Sequence, residues 1–282
     1  MAAVVQERYG AEPEAGLRRP KLPNPGRTIA GVVEAVGSEV TGFTPGDEVY
    51  GTAAAAFAEY AAARPDRIAP KPTRLTFEQA ATVPISALTA LQAVRDKAKV
   101  QQGQQVLITG AAGGVGTFAV QLAHAFNARV TAVASTPKLD AVRALGADHV
   151  IDYVREDFLA GPRRYDAIID IAGNRDLRDL RRALTPRGRP AITGGETNGA
   201  WLGGTDRQLR AQMLSPFTGQ HLGTFIASEH ADGLRELTAL IDAGTLSPVV
   251  DRVYPLTDTA AAVRHLLDGR VTGKLALTLP GK

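Results

Sequence analysis

The stretch Val106–Leu122, VLITGAAGGVGTFAVQL, is the part of the sequence that most clearly indicates a fold. An apolar run comes first, then glycines, then apolar residues at helical spacing, which predicts a strand, a tight turn and a helix. The turn has the A-x-G-x-x-G form of the dinucleotide-binding fingerprint, with residues Ala111, Ala112, Gly113, Gly114, Val115 and Gly116. Such glycines let the backbone approach a pyrophosphate, which the helix N-terminus attracts. The alternative is a glycine turn that binds nothing.

Helix and strand patterns alternate on both sides of this unit. Upstream, FEQAATVPISALTALQAV is helical in pattern; downstream, RVTAVA, HVID, DAIIDIA and AITGG read as strands, with LDAVRAL and RDLRDLRRAL as helices. This alternation predicts an α/β fold, a doubly wound parallel sheet of the Rossmann type. We expect Pro190 to be the first residue of the AITGG strand, since proline is confined to strand starts, edges and bulges.

Residues 28–72 differ and have a β-rich texture. The short runs IAGVVEAV, DEVYGT and AFAEYAAA are punctuated by Gly and Pro. Residues 10–27 are rich in proline and charge and are typical of a loop or linker. The sequence therefore predicts a β-rich unit followed by an α/β unit.

Composition excludes several classes of function. The chain has 282 residues, 44% hydrophobic and 22% charged, as expected of a folded globular protein. It contains no Cys, and its five His are scattered, so we expect no disulfide and no metal site. A net charge of +3 and 5% aromatic residues do not indicate a nucleic-acid partner. Without a long apolar run or a signal segment, we expect no membrane association and a cytoplasmic location.

The segment after the second α/β strand bears on the choice of dinucleotide. An NAD-specific site usually has Asp or Glu there, bonded to the ribose 2′-hydroxyl. Here Ser135, Thr136 and Lys138 occupy that place, without a carboxylate before Asp140. Two hydroxyls and a lysine suit a 2′-phosphate and favour NADPH, and a surface loop of chance composition is the alternative.

Two side chains are weak catalytic candidates. Tyr60 could donate a proton to a reduced carbonyl, although an aromatic residue in a FAEY strand more often belongs to the core. Thr89 precedes the fingerprint strand and could face a nicotinamide, but a buried capping hydroxyl explains it equally well. No tyrosine has a lysine four residues on, which excludes the short-chain dehydrogenase pattern.

Several stretches resemble the zinc-independent quinone oxidoreductase branch of the medium-chain dehydrogenase/reductases. They are GVVEAVGSEVTGFTPGDEVYGT, AFAEYAAARPDRIAPKP, TVPISALTALQAV, VLITGAAGGVGTFAVQLA, LGADHVIDY and PLTDTAAAVRHLLDGRVTGKLALTL, in the family's order. The resemblance implies a GroES-like β-rich catalytic domain into which a Rossmann domain is inserted. The expected bounds are 1–86 and 247–282 for the catalytic domain and 87–246 for the Rossmann domain. It also implies a homodimer and a small-molecule substrate.

The resemblance assigns cofactor contacts residue by residue. The turn of residues 111–116 would bind the NADPH pyrophosphate, Ser135 and Lys138 the 2′-phosphate, and Tyr153 would lie near the adenine ribose. On the nicotinamide side, the resemblance implies contacts from Ala172, Gly173, Asn174, Gly194 and Gly195. Lys274, in the closing TGK segment, is a further implied cofactor contact.

The chain departs from the family before residue 28. The ASVNPxD-like segment is absent and GRTIAG replaces a GRDVAG-like segment, so we expect a shortened catalytic domain with an open, reshaped or partner-completed pocket. Four residues could line that pocket or pack at a subunit interface: Trp201, Met213, Leu214 and Phe217.

Three functions follow from these patterns. The leading one is NADPH-dependent, metal-independent hydride transfer to a quinone or an α,β-unsaturated carbonyl. The second is a tailoring enzyme of a biosynthetic pathway, a reductive cyclase or a non-redox isomerase or cyclase. The third is a catalytically degenerate NADPH-binding protein.

Overall fold

The structure is a computed structural model that describes residues 27–54, 56–173, 175–193, 223–224 and 227–279. Its strands are β1 (Thr28–Val32), β2 (Glu48–Thr52), β3 (Ile68–Pro70), β4 (Gln105–Thr109), β5 (Arg129–Ala134), β6 (His149–Asp152), β7 (Tyr165–Asp170), β8 (Leu184–Ile192), β9 (Gly223–Thr224), β10 (Val250–Pro255) and β11 (Lys274–Thr278). Its helices are α1 (Phe77–Ala81), α2 (Pro84–Leu91), α3 (Gly114–Ala125), α4 (Leu139–Ala144), α5 (Leu177–Ala183), α6 (Ala231–Asp242) and α7 (Thr259–Leu267).

Six parallel strands form the central sheet, in the order β6-β5-β4-β7-β8-β9. The middle of β4 is wholly buried, because helices cover both faces of the sheet. On α3 the apolar stripe of Phe118, Ala119 and Leu122 is also buried. The predicted doubly wound Rossmann sheet is confirmed, with the strand order reversing beside β4.

The predicted position of Pro190 is wrong, since it is the seventh residue of the nine-residue strand β8. It lies opposite Ile168 of β7, and β8 pairs with β9 only from Ala191 onward. A proline is tolerated there because Pro190 precedes the pairing of β8 with β9 that the described residues show, at Ala191 and Ile192, and so withholds no N–H from it.

The predicted helix over FEQAATVPISALTALQAV is broken into two. Thr76 caps α1 in a capping box with Gln79, and α2 begins at Pro84, whose fixed φ and missing N–H suit a first helical position. A π-helical turn, Gln92–Lys97, continues α2.

Two small sheets make up the β-rich part. Strands β1, β2 and β3 are antiparallel, while β10 and β11 form a parallel pair. The expected strand AFAEYAAA is wrong, because residues 57–60 form bends. The pairing of β2 with β3 joins residues 49–51 to 68–70, so residues 53–67 connect these strands instead of extending them.

The β-rich part and the Rossmann part are joined by polar contacts and by helix packing. The Tyr50 hydroxyl donates to the Leu234 carbonyl at 2.6 Å, and the Glu229 carboxylate pairs with Arg27 and Arg67. The expected boundary at residue 86 falls within α2, which packs against α3. The division at 86 and 247 remains a prediction. Among the described residues, every helix is too short or too polar to cross a membrane.

Candidate functional site

The glycine turn joins the carboxyl end of β4 to the N-terminus of α3. The Gly113 N–H donates to the Gly110 carbonyl at 3.0 Å, and Thr117 N–H donates to the Gly113 carbonyl at 2.9 Å. Gly113 is the N-cap and has no side chain to cap the first N–H groups of α3. These N–H groups and the helix dipole therefore form an anion-binding end.

Two glycines of the turn are required by close approaches. A Cβ on Gly116 would lie 2.1 Å from the Gly110 carbonyl oxygen, so only glycine lets α3 pack this closely on β4. A Cβ on Gly114 would lie 2.5 Å from Cδ of Lys274 and 3.2 Å from Oγ of Ser86. The turn thus lies in close contact with the end of β4 and with the start of β11.

Lys274 reaches the fingerprint turn from a distant part of the sequence. Gly273 forms an isolated bridge with Gly113, and its N–H donates to the Ala112 carbonyl at 2.8 Å. Burial lowers the pKa of the Lys274 ammonium from its ordinary value. Among the described residues, no carboxylate forms an ion pair with it. A half-buried cation beside a helix N-terminus is an environment that an anionic ligand would neutralise.

The predicted 2′-phosphate residues lie together after β5, with two of them already hydrogen-bonded to protein. The Thr136 hydroxyl donates to the Asp152 carboxylate at 2.5 Å, and this bond is the main cause that lowers the pKa of Asp152. The Lys138 ammonium donates to the carbonyls of Gly269 and Val271. A lysine ammonium has three N–H groups, so Lys138 keeps one for a ligand.

Tyr153 follows β6, the strand next to β5, and its N–H donates to the Ala134 carbonyl at 3.2 Å. Its side chain is 56% exposed. An aromatic face at the carboxyl edge of the sheet is available for contact with an adenosine. Its proposed role near the adenine ribose remains a prediction.

At the expected nicotinamide end, two polar residues that sequence reasoning missed organise the backbone. The Thr109 hydroxyl donates to the Asp170 carboxylate at 2.7 Å and accepts from the N–H groups of Ile171 and Ala172. The Ala172-Gly173 segment is thereby tied to the end of β4. The sequence contained a signal for this pair: Thr109 is the last residue of one apolar strand and Asp170 is the last residue of another. The ends of neighbouring parallel strands meet at the same edge of a sheet.

Thr193, directly after β8, is a further residue that the sequence did not point to. Its buried hydroxyl has no hydrogen-bond partner among the described residues, although its N–H donates to the Asp170 carbonyl. An unpartnered polar atom at this edge fits a ligand-binding position. The predicted site residues Asn174, Gly194 and Gly195 lie outside the described residues, as do Trp201, Met213, Leu214 and Phe217.

The two catalytic candidates lie in different parts of the fold, Thr89 on α2 and Tyr60 in the connection between β2 and β3. The Thr89 hydroxyl donates to the Ile85 carbonyl within α2 at 2.7 Å. Tyr60 lines an apolar groove of about 520 Å³ between β1, α1 and β11, together with Phe77 and Leu277. No fingerprint residue lines that groove. Neither hydroxyl is therefore marked by its contacts as a proton donor.

These features define the class of protein as a Rossmann dinucleotide-binding protein with a β-rich companion unit. Two family models match the chain: an alcohol dehydrogenase GroES-like domain at residues 4–73 and a zinc-binding dehydrogenase at residues 145–277. The quinone oxidoreductase of Sus scrofa is 34% identical over 93% of this chain and 82% of its own length. The chain belongs to the medium-chain dehydrogenase/reductase superfamily, among its quinone oxidoreductase relatives.

Two other similarities extend this result. The spectinabilin polyketide synthase system protein NorB of Streptomyces orinoci is 38% identical over 90% of this chain, which spans 12% of NorB. The solved structure of the quinone oxidoreductase from Coxiella burnetii has a TM-score of 0.78 and 32% identity, covering 90% of this chain and 79% of that one. The resemblance to the quinone oxidoreductases and the fold are thereby confirmed.

The zinc named by one family model does not fit this chain. The sequence has no Cys, and the described residues contain no cluster of three or more His, Asp or Glu side chains that could hold a metal ion. Cys thiolates and His are the usual ligands of dehydrogenase zinc. The described residues therefore offer no ligand set for zinc.

Proposed function

We propose that this protein is an NADPH-dependent reductase that delivers hydride to a quinone or to the β-carbon of an α,β-unsaturated carbonyl. The observation that carries the proposal is the glycine turn, where the N-terminal end of α3 lies against the side chain of Lys274, a half-buried lysine that has no ion pair with a carboxylate among the described residues. Such a site favours a pyrophosphate, since it supplies N–H donors and a positive charge but no competing anion.

The chain's own residues bind and orient in this mechanism. The N-terminus of α3 and Lys274 would hold the pyrophosphate, and the Thr109–Asp170 pair fixes the Ala172-Gly173 backbone where the nicotinamide would lie. NADPH supplies the hydride when it is bound. The protein has to position the acceptor against the nicotinamide ring and exclude water. Because no described hydroxyl stands out as a donor, solvent protonates the enolate or quinol oxygen.

The relatives support the acceptor class but leave its identity open. The pig and Coxiella proteins are quinone oxidoreductases by name, and NorB belongs to a polyketide synthase system. A polyketide relative favours an unsaturated acyl group as the acceptor. The proposal also includes a cytoplasmic homodimer, whose mass in solution can be measured by light scattering.

Calorimetric titrations of NADPH and NADH into the purified chain test the cofactor. We expect micromolar binding of NADPH and much weaker binding of NADH. A screen of simple quinones and enones then follows NADPH oxidation by absorbance. Failure to bind either nucleotide, or binding without turnover of any acceptor, would contradict the reductase proposal.

A second candidate function is a biosynthetic tailoring reaction on the same scaffold, either a reductive cyclisation or a non-redox isomerisation or cyclisation. NorB is the observation that favours it. Incubation with unsaturated acyl thioesters, followed by mass spectrometry, separates the candidates. A product two mass units heavier indicates net reduction, and NMR of that product distinguishes a linear from a cyclised skeleton. A product of unchanged mass with a shifted retention time indicates isomerisation or cyclisation without reduction, and no product indicates a protein that only binds NADPH.

A further inference from the structure

The apolar groove between β1, α1 and β11 is open at a position that has no side chain. Side chains alternate between the two faces of a strand, so Ile29, Gly31 and Val33 belong to one face of the small antiparallel sheet. Val33 is part of the apolar cluster of the β-rich unit, and Ile29 packs against it. A Cβ on Gly31 would meet nothing within 4 Å. Gly31 therefore leaves open space between two apolar neighbours, in the groove of about 520 Å³.

The groove has apolar walls and a negative rim. Phe77 of α1 and Leu277 of β11 line it together with β1, and Glu59 and Glu78 supply its charges. The Glu78 carboxylate accepts from the Thr278 hydroxyl at 2.9 Å. Hydrogen bonds, the strongest from its own backbone N–H, lower the pKa of Glu78, so this carboxyl is ionised at neutral pH. No Lys, Arg or His of the described residues lines the groove, which therefore suits an uncharged apolar group and repels an anion.

Strand β11 connects the groove to the proposed cofactor site. Its first residue, Lys274, lies against the glycine turn, and Leu277 further along the strand lines the groove. Three residues of a strand span about 10 Å. An acceptor held in the cofactor cleft has only to carry an apolar chain to reach the groove.

We propose that this groove binds the apolar tail of the acceptor, an uncharged acyl or alkyl chain, while the unsaturated carbonyl or the quinone ring lies at the cofactor. The inference rests on the proposed reductase function and adds a substrate class to it, namely acceptors with a long neutral tail. The similarity to NorB, a protein of a polyketide synthase system, supports an acyl chain. Each CH₂ group that the groove buries is worth up to about fourfold in affinity.

Two enones that differ only in chain length test the tail by turnover. We expect kcat/KM for heptyl vinyl ketone to exceed that for methyl vinyl ketone at least about tenfold, measured by NADPH oxidation. Gly31→Trp places an indole in the groove, so this ratio should fall about tenfold, through a higher KM for the longer ketone. Gly31→Leu should give a smaller decrease. Val253→Trp adds the same bulk at an exposed position of β10 outside the groove and should keep the ratio.

A dye tests the groove without turnover. We expect the neutral apolar dye Nile red to bind the full-length chain with increased fluorescence, and Gly31→Trp to weaken this binding about tenfold relative to Val253→Trp. The neutral methyl octyl ketone should displace the dye, whereas decanoate of the same chain length should displace it at least about tenfold less well, since Glu59 and Glu78 repel a carboxylate. Melting curves confirm that each variant is folded.

The outcomes separate this inference from the proposed function. If the chain reduces both ketones equally well, or if Gly31→Trp and Val253→Trp bind the dye alike, the groove is not the tail site, and the reductase proposal is unaffected. Failure of Nile red to bind would overturn the inference, since the groove would then be filled by another segment or by a second copy. If no acceptor is reduced, the reductase proposal fails, and weaker dye binding by Gly31→Trp would still support a site for a neutral chain.

Discussion

The Rossmann sheet and the β-rich unit differ in how completely they are enclosed. In the Rossmann sheet, the central strand β4 is buried on both faces, and the glycine turn follows it directly in the chain. In the β-rich unit, β1 is only half-buried, and Val32 at its end is 53% exposed. Close packing thus fixes the geometry of the Rossmann part, whereas an open groove of about 520 Å³ borders β1 in the β-rich unit.

From this difference we infer that, in the proposed reductase, cofactor binding and acceptor choice depend on separate parts of the molecule. The anion-binding end of α3 is built by backbone and by Lys274, the first residue of β11, so the β-rich unit meets the glycine turn at that strand. We therefore expect substitutions in the Rossmann part and at Lys274 to alter cofactor affinity, and substitutions in the sheet of β1, β2 and β3 to alter stability or acceptor choice.

The largest expected effect is that of Gly116→Val. A Cβ at this position would lie 2.1 Å from the Gly110 carbonyl oxygen and 2.7 Å from Ala111 backbone atoms, so α3 must move away from β4. We expect NADPH affinity to fall by more than about 100-fold in calorimetry, equivalent to about 2.7 kcal/mol. Gly31→Ala in β1 is the control, because nothing lies within 4 Å of its new Cβ. Equal losses in both variants would remove the distinction between the two parts.

The next effect tests the charge at the glycine turn. Lys274→Met keeps the apolar stem of the side chain but removes the ammonium, and we expect NADPH affinity to fall by about 10- to 100-fold. NADH affinity should fall by the same factor, since both nucleotides contain the pyrophosphate. A change confined to NADPH would move Lys274 from the pyrophosphate to the 2′-phosphate.

The same lysine predicts a dependence on pH. Burial lowers the pKa of Lys274 below its ordinary value of 10.5. As pH rises through the lowered pKa the folded chain loses this cation, so NADPH affinity should fall. Between the two pKa values the unfolded chain binds the extra proton, so this group makes stability rise with pH there. Calorimetry and melting curves across the alkaline range measure both slopes in the unmodified chain and in Lys274→Met, and the difference between the two proteins isolates this group. Identical slopes in the two proteins would contradict the assignment.

A smaller effect is expected inside the sheet. Thr109→Val removes the hydroxyl that donates to Asp170 and accepts from Ile171 and Ala172. Leaving buried partners unsatisfied should lower the free energy of unfolding by about 2 kcal/mol. Denaturant unfolding measures this, and Thr109→Ser, which keeps the hydroxyl, should retain most of the stability. An unchanged midpoint for the valine variant would show that water replaces the hydroxyl.

The smallest effect concerns the connection between the two parts. Tyr50→Phe removes the hydroxyl that donates to the Leu234 carbonyl at 2.6 Å. Because the Thr238 hydroxyl also donates to that carbonyl, we expect a loss of only about 1 kcal/mol in unfolding free energy. NADPH affinity should be unchanged. A large loss of affinity would mean that this contact also sets the cofactor cleft.

Local patterns in the sequence were sufficient for the Rossmann part. The strand RVTAVA is β5 from end to end, and the glycine turn lies between β4 and α3 as its residues predict. Local reasoning failed at Pro190 and at the FAEY run. In both cases the pairing with distant strands, rather than the propensity of the segment, decided where the strand lies.

Local sequence was enough to predict the order of strands and helices in the Rossmann part, the anion-binding turn and the lack of cysteine ligands for zinc, because each depends on neighbouring residues or on composition. Only the tertiary structure decided which distant groups meet at the cofactor edge. It brings Lys274 to Gly114, Asp170 to Thr109 and the Val271 carbonyl to Lys138. Their separation along the chain hides these pairs from any periodic pattern, since parallel strands bring their ends together through crossovers that local sequence does not encode.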